Sequence, residues 1–394
     1  MQRIPGPTAG LLAFGVLASA CSVTSPVPAN QQVVDDDGTA VLVSSAPAWP
    51  AGRGWHLAVE PELVIGEATD DPDLLVAQAM GAVRLDDGAV VLADQETRLR
   101  WFDAEGSLLL DAGGKGEGPG EFEFIFRIDR CADDRLHVTA PGDQISVYTL
   151  AGEFQNRTTW DFAVGPHQTA CDRQGNVVAT GWGGFPQDIP ATGAMLHRAD
   201  TELMILPAGE QESFNVRPVP SAERVWFARG AFPHPFGRMT LVAIGSGSVY
   251  MGLAETFEIE VFDLDGQLTR RIRRADLVPQ AVAIDDLERL ADLEPERLSD
   301  SALESARQAD LPPTFPAYDR LVVDPTGALW VRNFRRAGAA EARWSVFEDS
   351  GAWLGDVVVP SRLQVLEIGA DYVLGIWRDE LDEESVRVYA LLKP

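Results

Sequence analysis

The chain has 394 residues, of which 45% are hydrophobic, 23% charged and 8% aromatic, a composition that supports a large core and excludes wholesale disorder or a collagen-like rod. Sixty acidic against 32 basic residues leave a formal charge of -28, which repels polyphosphates and argues against nucleic-acid binding. Length alone does not divide such a chain, because repetitive all-β architectures absorb it as a single unit.

Residues 1–20 read as an export signal. Arg3 supplies a short basic start, and Leu11 to Leu17 form an apolar stretch too short to span a bilayer. Leu17-Ala18-Ser19-Ala20-Cys21 follows and resembles the bacterial lipobox, in which small residues precede a cysteine that becomes lipidated. The resemblance implies a lipid anchor at Cys21 and, with Ser22 next, sorting to the outer membrane, facing periplasm or exterior. The alternative is a plain secretory signal cleaved near Ala20. No later run reaches the ~18 apolar residues a transmembrane helix needs, so membrane contact is expected only through the anchor. Residues 21–54, rich in Ser, Pro, Ala and Gly without sustained periodicity, are expected to be a flexible tether.

From residue 55 to 394 a phrase of apolar strand, tight turn, apolar strand, polar loop, aromatic-ended strand and second turn recurs six times. Its first turns include Asp86-Asp87-Gly88, Arg173-Gln174-Gly175 and Pro325-Thr326-Gly327, each leading into β-branched or aromatic residues. The second turns place an aromatic before an acidic Gly turn, as in Phe102-Asp103-Ala104-Glu105-Gly106 and Phe262-Asp263-Leu264-Asp265-Gly266. Gly106 and Gly152 lie 46 residues apart, the length of a four-stranded propeller blade. The expectation is all-β: a six-bladed β-propeller whose last blade lacks its outer strand, which His56 to Ile65 supplies to close the ring. The third copy, around Met195 to Leu206, reads as degraded. Leu287, Leu290, Leu293, Leu298 and Leu303 have helical spacing, so a small helical insertion is expected at about 283–310, divided by Pro295.

Cys131 and Cys171 stand before equivalent turns 40 residues apart; they are either a disulfide between neighbouring repeats or two buried thiols. The repeat, the lipobox and Gly116-Glu117-Gly118-Pro119-Gly120-Glu121-Phe122 together resemble the TolB-like and NHL-like six-bladed propeller lipoproteins of bacteria. That resemblance implies fold and export and leaves the chemistry open.

Residues 113–120 lack the Gly-Lys-Ser/Thr of a phosphate-binding loop and read as a turn between blades. No Gly-x-Ser-x-Gly or Cys/His pairing points to a nucleophile. Scarce positive charge gathers in loops beside aromatics, and Arg98, Lys115, Trp182, Arg229, Arg335, Arg336 and Arg378 are the candidate contacts for an anionic or carbohydrate ligand. The expected function is a lipid-anchored binding or scaffold module without a cofactor, meeting a ligand or protein on its loop face. The alternative is a calcium-dependent lactonase or lyase, with Asp94, Asp143, Asn333 and Asp379 converging on an axial ion.

Overall fold

The computed structural model describes residues 1–2, 30–67, 74–76, 78–95, 97–132 and 134–394. The expected lipidation at Cys21, with the rest of the export segment, lies outside the described residues. Among these residues the fold is all-β apart from two short helices and a 3₁₀ turn, and its strands form six sheets in which all pairings but one are antiparallel.

Sheet 1 comprises Ala79–Arg84, Val90–Asp94, Arg98–Phe102 and Leu108–Gly113, and sheet 2 Arg127–Cys131, Arg135–Ala140, Gln144–Tyr148 and Phe154–Thr159. Sheet 3 comprises Pro166–Cys171, Val177–Gly181, Ala194–Leu206, Phe214–Phe227 and Gly230–Pro233. The core of sheet 4 is Leu241–Gly245, Ser248–Gly252, Glu258–Asp263 and Leu268–Arg274, and sheet 5 is Tyr318–Val323, Leu329–Asn333, Glu341–Phe347 and Trp353–Pro360. Sheet 6 begins with Leu363–Ile368, Tyr372–Arg378 and Glu384–Leu392; the early strands Leu63–Ile65 and His56–Leu57 then pair antiparallel with its last strand.

The turn chemistry explains the regularity. Asp103 Oδ1 accepts the backbone N–H groups of Glu105 and Ser107, and Asp263 Oδ1 those of Asp265 and Gln267. Gly106 and Gly266 then take φ of 87° and 79°, which a side chain would resist. These local bonds hold both hairpins in register.

First strands contact one another in the sequence 1 to 6, and that of sheet 6 contacts that of sheet 1. Equivalent ends lie together, Cys131 with Cys171 and Gly245 with Val323. Strands within a sheet alternate in direction, so the loops after second strands and the connections between sheets share one rim, here called the loop rim. The second strands are the most enclosed: Val90–Asp94 and Val177–Gly181 are buried throughout, while the outer strand Phe154–Thr159 is mostly exposed.

Apolar clusters fill five of the seams between neighbouring sheets: 1 with 2, 3 with 4, 4 with 5, 5 with 6, and 6 with 1. Among the described residues no such cluster spans sheets 2 and 3. That seam carries the Cys131–Cys171 disulfide, with Cα atoms 5.7 Å apart, and Arg127, whose Nη1 and Nη2 donate to Thr169 O and Oγ1 at 2.6 and 2.7 Å. Towards the opposite rim Arg130 donates to Asp86 and Asp134, both at 2.8 Å.

The structure corrects two expectations. Residues 30–49 are not tether: Asn30–Val34 and Ala40–Ser44 form a hairpin whose second strand pairs parallel with Leu268–Arg274, the outer edge of sheet 4. That edge offers unpaired backbone groups and arginines, and Arg271 and Arg273 bind Asp35 while Arg271 also binds Asp37. The chain then crosses sheet 5, where Ala48 and Trp49 N–H donate to Trp353 and Leu354 carbonyls. The third copy is not degraded either. Its third and fourth strands run 13 and 14 residues, long enough to project beyond the rim and meet the insertion.

The leucine-periodic insertion folds as helices Ile284–Leu293 and Asp300–Gln308 around a 3₁₀ turn at Pro295–Arg297. Leu287, Leu290 and Ala306 are buried against Val225 of sheet 3 and against Phe236 and Phe315.

Among the described residues seam 2–3 carries no apolar cluster, so the disulfide is expected to matter to stability. With its cysteines 40 positions apart, converting both to Ser should cost about 4 kcal/mol by loop-closure entropy, read as a lower urea midpoint that reductant reproduces in the parent protein. A reductant-insensitive midpoint would refute it.

Candidate functional site

The loop rim carries a pocket of about 300 Å³ where sheets 4 and 5 meet the insertion. Its walls come from four stretches: Glu255 to Phe257 in the loop of sheet 4, Leu277 to Gln280 entering the insertion, Phe315 to Ala317 leaving it, and Asn333, Phe334 and Arg336 in the loop of sheet 5. Backbone hydrogen bonds fix these stretches to one another: Phe315 N to Gln280 O, Ala317 N to Ala254 O and Phe334 N to Ala317 O. The floor is aromatic, with Phe315 centred 5.0 Å from Phe236 and 5.6 Å from Phe334. Below it Phe257 packs edge-on to Tyr318, whose hydroxyl donates to Glu258 O at 2.6 Å and whose pKa burial pushes well up.

Arg336 supplies the pocket's positive charge. Its guanidinium lies 4.3 Å from the Phe315 ring centre and donates to Gln280 Oε1 at 2.6 Å. Among the described residues no carboxylate lies within ion-pair distance of it. Glu255, the pocket's carboxylate, is engaged by Arg198 at 2.7 Å. Leu277 and Val278 stand exposed at the mouth, 40% and 78% accessible. The arrangement offers an apolar chamber with one guanidinium at its edge, suited to an organic anion.

Behind the pocket, Glu294 at the end of the first helix accepts from Arg335 at 2.7 Å, Arg297 at 2.9 Å and the Gly338 amide at 3.0 Å. Burial alone would raise this carboxyl, but the hydrogen bonds from Arg335, Arg297 and Gly338 outweigh it and hold the group at about 2. The cluster fastens the loop bearing Arg336 to the insertion.

Of the residues singled out in the sequence, Arg336 and Asn333 share this pocket, and Asn333 Oδ1 accepts from Ser345 Oγ at 2.9 Å. Arg335 is taken up by Glu294. The others are spread around the loop rim. Arg98 faces Asp94 and Asp111 at 3.5 and 3.6 Å, and Arg100 also meets Asp94 at 3.1 Å. Lys115 is exposed in the glycine-rich connection, and Arg229 at the tip of the sheet 3 hairpin. Trp182, 54% accessible, stacks on His167 at 4.0 Å with Arg224 at 5.4 Å. Arg378 pairs with Glu384 at 2.7 Å. Asp143 is an exposed turn residue with φ 58°, and Asp379 Oδ1 accepts the amides of Leu381 and Glu383. Among the described residues no group of three or more His, Cys, Asp or Glu side chains is placed to hold a metal. Sequence reasoning missed Phe257, Gln280 and Phe315; the signal was the unpatterned apolar run Leu277-Val278-Pro279 beside a Pro-rich, Phe-containing return, Pro312 to Pro316.

No family model and no curated protein matches the chain. Solved structures do. A member of the DUF4221 family from Bacteroides vulgatus is 10% identical, covers 86% of this chain and 98% of its own, and superposes with a TM-score of 0.50. A protein from Bacteroides fragilis described as exported gives 11%, 89%, 98% and 0.49. The WD40 β-propeller domain of Doa1 gives 10%, 84%, 96% and 0.38. At such identities the first likeness concerns fold alone, and the two lower scores carry no argument.

The Glu294 cluster has a testable pH signature. Its folded value lies below the usual 4.5, so its stabilisation is present above that value and lost as pH falls through about 2. Glu294→Gln should lower stability at pH 7 by about 1–3 kcal/mol and flatten the acid-side loss of the urea midpoint between those limits. An unchanged pH profile would show that the carboxylate does not fasten the loop.

Proposed function

We propose that this chain is an extracytoplasmic, six-bladed β-propeller anchored by a lipid at Cys21, and that it binds a small organic anion in the loop-rim pocket between sheets 4 and 5. Three features support the architecture: six sheets, first strands that contact one another in cyclic order, and early strands that complete sheet 6. Pairing the chain's early segment with its last strand removes two open edges at once. The export-like start and the disulfide support an oxidising compartment.

The observation that carries the binding reading is Arg336, stacked on Phe315 at the edge of an apolar chamber and, among the described residues, without a carboxylate partner. A ligand placing a carboxylate or sulfonate on that guanidinium and an apolar body on Phe315 and Phe334 would replace water at both. Backbone hydrogen bonds tie the walls to one another before any ligand enters, which lowers the ordering cost of binding.

The apolar anion 8-anilinonaphthalene-1-sulfonate is a direct probe. It is expected to give one saturable fluorescence rise, weakened at least about tenfold by Arg336→Ala, equivalent to about 1.4 kcal/mol, and similarly by Phe315→Ser. Parent-like binding in both variants would end this reading. Dialysis against EDTA is expected to leave the melting temperature and probe binding unchanged; a clear fall restored by calcium would favour the metal-dependent enzyme instead.

A further inference from the structure

The lengthened hairpin of sheet 3 has a second face, turned away from the helical insertion. Side chains alternate between the two faces of a strand. In Phe214–Phe227, Val225 packs on the insertion, as does Phe232, its partner in the next strand. Arg224 and Trp226 therefore project from the other face, where their partners in Ala194–Leu206 are His197 and Met195.

The loop that follows Val177–Gly181 lies against that face. Gly183 turns there with φ 76°, and a Cβ on it would meet Ser221 Oγ at 2.7 Å and the Ala199 side chain at 3.1 Å. Trp182 stacks on His167 with ring centres 4.0 Å apart, and the Arg224 guanidinium lies 5.4 Å from the indole centre. Phe185 packs edge-on to Trp226 at 5.4 Å. Both loop aromatics stay open, Trp182 54% and Phe185 82% accessible, while Trp226 beneath them is buried. An indole that a second ring holds in place, and that remains more than half open, is a platform rather than a chamber.

Arg224 gives this platform a positive charge. It is partly buried, its cross-strand neighbours His197 and Pro233 carry no carboxylate, and its Nη2 reaches Ala231 O only at 3.5 Å. Among the described residues no carboxylate lies within ion-pair distance of it, and burial lowers its pKa. An apolar ligand would gain little here, because most of it would stay in water. A pyranose ring is better matched: its C–H face carries partial positive charge and lies on the electron-rich face of an indole, while its hydroxyls remain hydrated. A carboxylate on that ring would meet the guanidinium through two parallel hydrogen bonds. The formal charge of -28 repels polyanionic chains, so a glycan with one acidic sugar suits the site better than a polyuronate.

We propose that Trp182 and Arg224 form a saccharide-binding platform on sheet 3, which takes a glycan through one hexuronic acid, the sugar ring on Trp182 and its carboxylate on Arg224. Phe185, seated on Trp226, extends the aromatic surface. The platform shares no residue with the pocket between sheets 4 and 5, and neither reading depends on the other.

Saturation-transfer NMR on the purified protein, titrated with methyl glucuronide and separately with methyl glucoside, tests the proposal. The parent is expected to give saturable signals on the ring protons of both sugars, with the glucuronide bound about tenfold more tightly. Trp182→Ala, at an exposed position, should fold as the parent does and lose both signals. Arg224→Gln should keep the glucoside signal and lose the preference for glucuronide. Arg224→Lys, which keeps the charge but not the fork, is the second variant should Arg224→Gln not fold, and should reduce that preference. Arg336→Ala should respond as the parent does, which separates this platform from the rim pocket. The proposal is overturned if neither sugar gives a saturable signal, if the glucoside binds as tightly as the glucuronide, if Trp182→Ala or a folded Arg224 variant keeps the parent's response, or if Arg336→Ala abolishes it.

Discussion

A sheet whose two faces are both apolar cannot be stabilised by one neighbour; each needs cover on both sides, and this requirement governs the molecule. The buried second strands, Val90–Asp94 and Val177–Gly181 among them, have no polar face to turn to water. Packing sheet against sheet in cyclic order meets the demand repeatedly. It also explains why the early strands Leu63–Ile65 and His56–Leu57 travel to the last strand, since without them sheet 6 would keep an open edge over Ile65's apolar neighbours Leu374 and Val388.

Seam 2–3 is the departure from this rule. Where the other seams carry Val, Leu, Ile and aromatic clusters, it has a disulfide, an arginine bonded to the next strand's backbone, and buried Thr139 and His137. A covalent link holds two surfaces together without water having to be expelled from apolar area, so the polar groups can be kept.

Function is distributed differently. The loop rim gains its depth from two irregularities, the lengthened hairpin of sheet 3 and the helical insertion before sheet 5, which pack on each other through Val225, Leu287 and Leu290. Glu294 then fixes the sheet 5 loop against them through Arg335. Arg336, the next residue, is left at the edge of a chamber and, among the described residues, without a carboxylate, and the neighbouring arginines take opposite roles for that reason.

The sequence by itself determined what local chemistry decides: the strand-turn phrase, because an Asp side chain and a positive-φ Gly close each turn within a few residues, and the insertion's helices, because leucine spacing and Pro295 act locally. The same phrase is present in Asp36-Asp37-Gly38, flanked by QQVV and AVLV, but Ser- and Pro-rich surroundings dominate the composition there and hide it. Seven loop cations and aromatics were legible as candidates, yet nothing local distinguished Arg336 from Arg335 or Arg378. Only the tertiary structure decided that, since whether a guanidinium is neutralised depends on which carboxylate another element brings within reach. The placing of Arg320 directly opposite Arg332 in sheet 5 was equally invisible, because it arises from register between strands, which is not written in the spacing of residues along one strand.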